Sequence, residues 1–484
     1  MKLSTCLALI GLVLGWAAGC QSQGPASPHA STATLVPVLP GPTNTMAADT
    51  PTPLAAIAST ATPTRDMTLV FQVSTQDARQ TIEHVGSGAF VHKFGGVLSA
   101  TDPVSELNLS TLQPRFVRVA MDLANWEPEN DNEDPASFNN QAFQDGGYNH
   151  ATFEFMKLMQ ARGAEITASI WDVPNWMVSN PKDSSSRLIP HSLYPEAIES
   201  IVAWLVRARD QYGLEVAYIS FNEANLGVNV LLSPADVIKM VRQSGPRFAE
   251  LGLKTRWLLG DCSSMNGCLD YLKPVWAEKD LRPYLGPLAF HSWDAESFSD
   301  AGIAAIGDFA RQEGLEVRAT ETGWDAQLWQ RPDEFPTWQN ARRLAAVYNR
   351  ILKSSGVSAI YYWQMMGHDY NLNSGSEPYL VLQVIQQMNE LFPPGSQILG
   401  TSPNTSTVAV VAARTPKGVV LHFVNQALKE TVRITGLPDG SYDLLLTDGK
   451  GTGQLIQTLA VTGGTASFAL AGFSIQVLEP HTAP

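Results

Sequence analysis

Short apolar runs rich in β-branched and aromatic residues recur through the middle of the chain, at residues 85–91, 116–121, 166–171, 216–221, 256–259, 288–291, 317–320 and 359–363. Longer stretches lie between most of them, at 151–161, 195–212, 235–251, 300–312 and 338–354. In these the apolar positions return at helical spacing until a glycine or another turn residue closes the pattern. Strands alternating with crossover helices predict a parallel sheet wrapped by helices. Eight of them predict an α/β protein whose sheet closes into a (β/α)8 TIM barrel over residues 80–392. An open doubly wound sheet is the alternative, but no glycine-rich phosphate loop follows the first run.

After Pro393 the alternation stops. Strand-like runs at 408–412, 418–425, 430–435, 442–447, 456–461 and 473–478 follow one another, the later ones separated by Asp439-Gly440, Asp448-Gly449 and Gly463-Gly464. This predicts a C-terminal antiparallel β-sandwich over residues 393–484. Residues 67–79 ahead of the barrel are also strand-like and are expected to join that sandwich, so that the small domain is built from both ends of the chain.

The first residues follow another pattern. Lys2, the apolar run 7–13 and the small residues Ala17-Ala18-Gly19 before Cys20 read as an export signal over residues 1–19, too short in its apolar part to span a bilayer comfortably. The Ala-Ala-Gly-Cys ending resembles a bacterial lipobox. That resemblance implies lipidation of Cys20 and a protein held at the bacterial cell surface by its N-terminal lipid alone; an ordinary signal peptide with an incidental cysteine is the alternative. Between Cys20 and residue 66 Ser, Thr, Pro and Ala dominate, too few large apolar groups to offset the entropy of ordering, so a disordered tether is expected.

At 484 residues the chain exceeds what one core organises, in keeping with two folded units. A formal net charge of -14 argues against nucleic acid as a partner, since that binding needs clustered Lys and Arg. A monomer is expected. Cys262 and Cys268 lie close together in a polar stretch, 261–270, where a local disulfide or two free thiols are the possible states; no His stands at ligand spacing nearby. The carboxylates of the Asn- and Asp-rich insertion 128–148 could hold calcium but lack ordered calcium-loop spacing, so no metal is expected. That insertion either closes one end of a cleft or is a solvated loop.

In barrels of this kind the chemistry sits where the strands end. Arg118, Asp122 and Asn125 close the second run, Trp171, Asp172 and Trp176 the third, and Asn222 and Glu223 the fourth. Asp261 closes the fifth, His291 and Trp293 the sixth, Glu321 and Trp324 the seventh, Tyr362 and Trp363 the eighth. Residues ending the fourth and seventh strands can converge over the barrel axis. A glycosidic bond is hydrolysed with retention by two carboxyl groups about 5–5.5 Å apart, one giving a proton and one attacking. Glu223 and Glu321 fit those parts as acid/base and nucleophile, with solvated helix-capping carboxylates as the bland alternative. Asn222 is placed to bind a sugar hydroxyl. Arg118 either keeps Glu321 ionised or makes an internal ion pair. His291, Trp171, Trp293, Trp324, Tyr362, Trp363 and Asn125 complete a site suited to oligo- or polysaccharide, whose pyranose faces stack on rings, although any single ring could belong to the core.

These residues stand in recognisable segments: Val117-Arg118-Val119-Ala120-Met121, Trp171-Asp172-Val173-Pro174-Asn175-Trp176-Met177, Asn222-Glu223, Thr320-Glu321-Thr322-Gly323 and Tyr362-Trp363, with Gln80-Thr81-Ile82-Glu83-His84-Val85-Gly86-Ser87-Gly88 entering the first strand. From about residue 67 to the C-terminus the chain resembles the family 30 glycoside hydrolases, with family 39 as a neighbour in the same clan. The resemblance implies a retaining enzyme without cofactor, among relatives that include glucosylceramidases, β-1,6-glucanases, xylanases and galactanases. Two departures bear on which sugar is bound: Ala224 stands where many members have proline, and Asn125 where an acidic residue commonly binds sugar hydroxyls. A catalytically silent, carbohydrate-binding surface lipoprotein is the alternative from another class.

Overall fold

The computed structural model describes residues 68–91, 102–181, 187–366 and 369–482. The expected export signal, Cys20 and the tether lie outside the described residues. From β1 (Leu69–Thr81) the chain passes into β2 (His84–Phe90), β3 (Phe116–Asp122), β4 (Glu165–Asp172), β5 (Val216–Phe221), β6 (Arg256–Cys262), β7 (Leu285–His291), β8 (Val317–Thr322) and β9 (Val357–Tyr362). Strands β2 to β9 close into a parallel (β/α)8 barrel in chain order, with β9 pairing β2. Every residue of β2, β3, β7, β8 and β9 is buried, because one face fills the barrel and the other lies under helices. That is why these strands read as continuous apolar runs.

Helices Gly147–Ala161, Tyr194–Tyr212, Pro234–Glu250, Asp300–Glu313 and Trp338–Ser354 occupy the five amphipathic stretches. Asp102, Ser233, Ser299 and Thr337 start helices by accepting a backbone N–H two or three residues on. Among the described residues three further helices of ten residues or more, Pro103–Leu112, Cys268–Ala277 and Leu380–Leu391, and the single turn Leu123–Trp126 have no counterpart in the periodic stretches. The second holds Pro274 and begins inside the stretch read as a polar loop, which is therefore only residues 263–267 long.

At their C-terminal ends the strands lose regular pairing: the register slips between Met121 and Asp122, Gly260 and Cys262, Phe290 and His291, and Ala319 and Thr322. Successive side chains of a regular strand point to opposite faces. Here the slip lets the neighbours Thr320 and Glu321 both reach groups inside the barrel, Asp261 and Arg118.

A short hairpin of β10 (Asn373–Ser374) and β11 (Glu377–Pro378) follows the barrel strands. The small domain is a β-sandwich of β1 with β12 (Gln397–Thr401), β13 (Val408–Thr415), β14 (Gly418–Asn425), β15 (Glu430–Thr435), β16 (Gly440–Asp448), β17 (Gly451–Val461), β18 (Thr465–Leu470) and β19 (Ile475–Pro480). Its strands follow the order β17-β16-β19-β14-β13-β12-β1-β15-β18. All pairs are antiparallel except one: Leu69–Gln72 of β1 run parallel to β15 before the strand continues antiparallel to β12. β1 thus passes from one layer to the other, and Phe71 and Val73 sit in the core between them with Leu421, Phe423, Ile434 and Phe468. β12 and β18 are additions to the expected strands. The sandwich is pegged to the barrel by a buried pair: Asn349 Nδ2, on helix Trp338–Ser354, donates to the carbonyls of Ala409 and His422, and its Oδ1 meets His422 Nδ1 at 2.8 Å.

Candidate active site

Arg118 occupies the centre of the barrel mouth, fully buried. Its Nη1 donates to Glu321 Oε1 at 2.8 Å, its Nη2 to Asn222 Oδ1 at 2.6 Å and to Asp261 Oδ2 at 3.0 Å, and its Nε to Ser169 Oγ at 2.8 Å. Arg118 thus bonds Glu321 and also pairs with a second buried carboxylate. Arginine only donates, which fixes the Asn222 oxygen toward it and turns Nδ2 the other way. That Nδ2 is buried and donates to nothing among the described residues.

Asp261 is the group that sequence reasoning noted as a strand end without giving it work. It accepts from Arg118, from Ser220 Oγ at 2.6 Å and from Thr320 Oγ1 at 2.6 Å, and faces His291 Nε2 at 3.3 Å. Burial alone would raise this carboxyl, but Arg118 first and then His291 hold it far below the ordinary range. His291 Nδ1 lies 2.8 Å from Glu223 Oε1 and 3.3 Å from Glu321 Oε2. Burial would lower the imidazole; the charge of Glu321 and the bonds with Asp261 and Glu223 overcome it and push His291 up to about 10. At neutral pH His291 is an imidazolium donating from both nitrogens.

One oxygen each of Glu223 and Glu321 and a ring nitrogen of His291 lie within 4.8 Å of one another. The two carboxyls are supported unequally. Glu321 is buried and takes donors from Arg118, from Trp293 Nε1 at 3.2 Å and from His291. Burial raises its carboxyl, opposed by the charges of His291 and Arg118. Glu223 keeps 13 % of its side chain exposed, against 4 % for Glu321, and His291 is its one side-chain partner among the described residues. Glu223 and Asp261 both adopt left-handed backbone, φ 48° and 56°, a conformation that costs a residue with a side chain about 1–3 kcal/mol and clusters at functional sites.

Above the carboxyls opens a cleft of about 760 Å³, lined by Trp171, Glu223, Trp293, Glu321 and Trp363 together with Leu226, Val228, Ser263, Ser264, Ala326, Gln327, Trp329, Asp369 and Tyr370. Trp171 stacks on Trp363, ring centres 5.1 Å apart, and the peptide bond from Trp363 to Gln364 is cis. Trp329, absent from the sequence reading, is 48 % exposed and offers an open ring. Six expected contact residues fall outside this lining: Arg118, Asn222 and His291 are buried against its carboxylates, and three others make bonds elsewhere. Trp324 turns away, donating to Asn340 Oδ1 at 2.8 Å with the Arg343 guanidinium over its ring. The Tyr362 hydroxyl donates to the Tyr370 carbonyl, and Asn125 Nδ2 donates to Asp122 Oδ2. Cys262 and Cys268 are disulfide-bonded, tying the end of β6, next to Asp261, to the following helix.

The chain has the fold of clan A glycoside hydrolases of the family 30 and family 39 kind. It is similar to a family 30 endoxylanase from Clostridium papyrosolvens C71, at 17% identity and TM-score 0.63, over 85% of this chain and 100% of that one. A family 30 subfamily 8 xylanase from Clostridium acetobutylicum aligns at 15% identity and TM-score 0.64, over 84% and 98%. A family 39 enzyme from Xanthomonas axonopodis pv. citri aligns at 13% identity and TM-score 0.55, over 87% and 100%. No protein-family model and no curated protein sequence matches the chain.

Proposed function

We propose that this protein is a retaining β-glycoside hydrolase acting on an extracellular oligo- or polysaccharide, with Glu321 as nucleophile and Glu223 as acid/base. The observation that carries the reading is the unequal support of two carboxyls standing within 4.8 Å of each other. That spacing fits direct attack by one of them; an inverting pair stands about 6.5–9.5 Å apart to admit a water. Donors from Arg118 and Trp293 favour the anionic form of Glu321, as a nucleophile requires. Glu223, at the open side, is free to exchange a proton with the leaving group and then with water.

In the first step Glu321 attacks the anomeric carbon while Glu223 gives its proton to the departing glycosidic oxygen, leaving a glycosyl ester on Glu321. In the second, Glu223 takes a proton from water, which attacks the same carbon and releases the sugar in the β configuration. The unused Nδ2 of Asn222 is placed to bind the hydroxyl next to the reacting carbon, a contact that strengthens in the transition state. Trp171, Trp363, Trp293 and Trp329 supply ring faces for pyranoses. The xylanases of like fold make xylan the first polymer to try. Export and lipid anchoring through Cys20 place the enzyme on the bacterial surface, with no nucleic acid partner and no cofactor, as a monomer.

The purified protein, offered aryl β-glycosides and β-linked polysaccharides, should cleave at least one class, and Glu321→Ala should abolish that activity. Tight glycan binding with no cleavage across the panel would instead favour a silent carbohydrate-binding lipoprotein.

A further inference from the structure

Behind the cleft, a second group of acids has no place in the proposed chemistry. Glu127 and Asp131 come from the segment after β3, Glu196 and Glu199 from successive turns of helix Tyr194–Tyr212. One oxygen each of Asp131, Glu196 and Glu199 lie within 4.8 Å of one another. Glu127 is close enough for its charge to be felt at Glu199.

What separates this group from a solvated acidic patch is that several of its oxygens are shut away from solvent with no cation against them. Glu199 is 1 % exposed, and both its carboxylate oxygens are buried with no hydrogen-bond partner among the described residues. Glu196 Oε2, Glu127 Oε2 and Asp131 Oδ1 are buried and unpartnered as well. No Lys, Arg or His forms a salt bridge with any of the four among the described residues. Buried polar atoms are almost always paired, and a buried carboxylate without a donor is among the costliest groups a fold can keep.

We infer that Asp131, Glu196 and Glu199, with Glu127 beside them, form a binding site for a hard divalent cation of calcium's size. Calcium takes oxygen ligands at about 2.3–2.6 Å, so ligands on opposite sides of the ion stand about 4.6–5.2 Å apart, the span over which these oxygens converge. Carboxylates alone, with no nitrogen or sulfur donor, suit such an ion and not a transition metal. Two of the other oxygens are already held: Asp131 N donates to Glu127 Oε1 at 3.1 Å, and Asn139 N to Asp131 Oδ2 at 2.7 Å. The ion ties the Asn/Asp-rich segment after β3 to the helix after β4. No calcium-loop spacing exists because the ligands come from two segments far apart in sequence.

Calorimetric titration of the chelator-stripped full chain with calcium chloride should show one ion bound per chain, and the melting temperature should rise with calcium and fall again with chelator. Glu199→Gln and, separately, Glu196→Gln preserve shape and remove a charge. Each should weaken binding by more than the roughly 10–100-fold typical of losing an outer hydrogen-bond partner of a ligand, and should abolish the thermal response. Absence of calcium binding to the stripped, folded chain would overturn the inference in favour of a cluster neutralised by protons. Binding that survives in both folded variants would overturn it equally, by placing the ion elsewhere. Neither outcome touches the glycosidase reading.

Discussion

Arg118 and Glu321 meet at 2.8 Å inside the barrel with both side chains closed off from solvent, one from β3 and one from β8, three strands apart around the ring. The contact joins stability to chemistry. The same guanidinium holds Asp261 and Asn222, so its planar fork fixes three groups at once, which the point charge of lysine cannot do. Arg118→Lys should lower kcat on the order of 10²- to 10³-fold with a smaller change in KM, as for loss of a preorganised donor. Arg118→Met should in addition cost about 3–5 kcal/mol in a denaturant titration, because two buried carboxylates lose their partner.

The histidines set opposite edges of a stability window. His291 is raised to about 10 from its ordinary 6.5, so the folded state holds more protons than the unfolded one between those values; this contribution is complete below 6.5 and is lost as pH rises through 10. His84 and His422 are lowered by burial to about 4 and about 3, so their contribution is present above 6.5 and is lost as pH falls toward those values. Melting temperature against pH should therefore decline on both sides of the neutral range. His291→Gln should flatten the alkaline decline and leave the acid one in place.

Gly323 permits Trp293 to sit where it does. A Cβ at this position would stand 2.3 Å from the Trp293 ring, and that ring's Nε1 donates to Glu321. Gly323→Ala should push the indole off Glu321, lowering kcat/KM by roughly 10- to 100-fold, on the scale of one hydrogen bond to a charged group. The melting temperature should move little, since the ring borders an open cleft, and tryptophan fluorescence should report the displacement.

The Cys262–Cys268 bridge closes a short loop beside Asp261. Breaking it with Cys268→Ser should cost about 2 kcal/mol of stability, measured with and without reductant. Activity at low temperature should remain, because Asp261 keeps its bonds to Arg118, Ser220 and Thr320.

How much of this was legible in the sequence follows from how local the cause is. The barrel strands were legible because strands buried on both faces must be apolar throughout. β12 and β18 were not: Gln397–Thr401 offers only Ile398 and Leu399 as large apolar residues, and Thr465–Leu470 buries alternate residues that include Ala466. In the site, Glu223, Glu321, Asn222 and His291 stand at strand ends, where topology alone carries them toward one axis; Arg118, expected to close its strand, is instead the third residue of β3 and meets Glu321 and Asn222 through its long side chain. Trp324 lies one residue past Gly323 but turns to Asn340, since direction beyond a strand end depends on packing and not on position. Trp329 and Tyr370 reach the cleft from longer connections whose path nothing local dictates. The four-carboxylate cluster was unreadable for a related reason: its two halves meet only when helix Tyr194–Tyr212 docks beside the segment after β3.

The claim that Glu321 forms a covalent glycosyl intermediate is tested most directly by proton NMR of the first sugar released from a β-linked substrate. The account predicts that the β anomer appears first and the α anomer only later, by mutarotation. Initial release of the α anomer would contradict it, and with it the assignment of Glu321 as nucleophile.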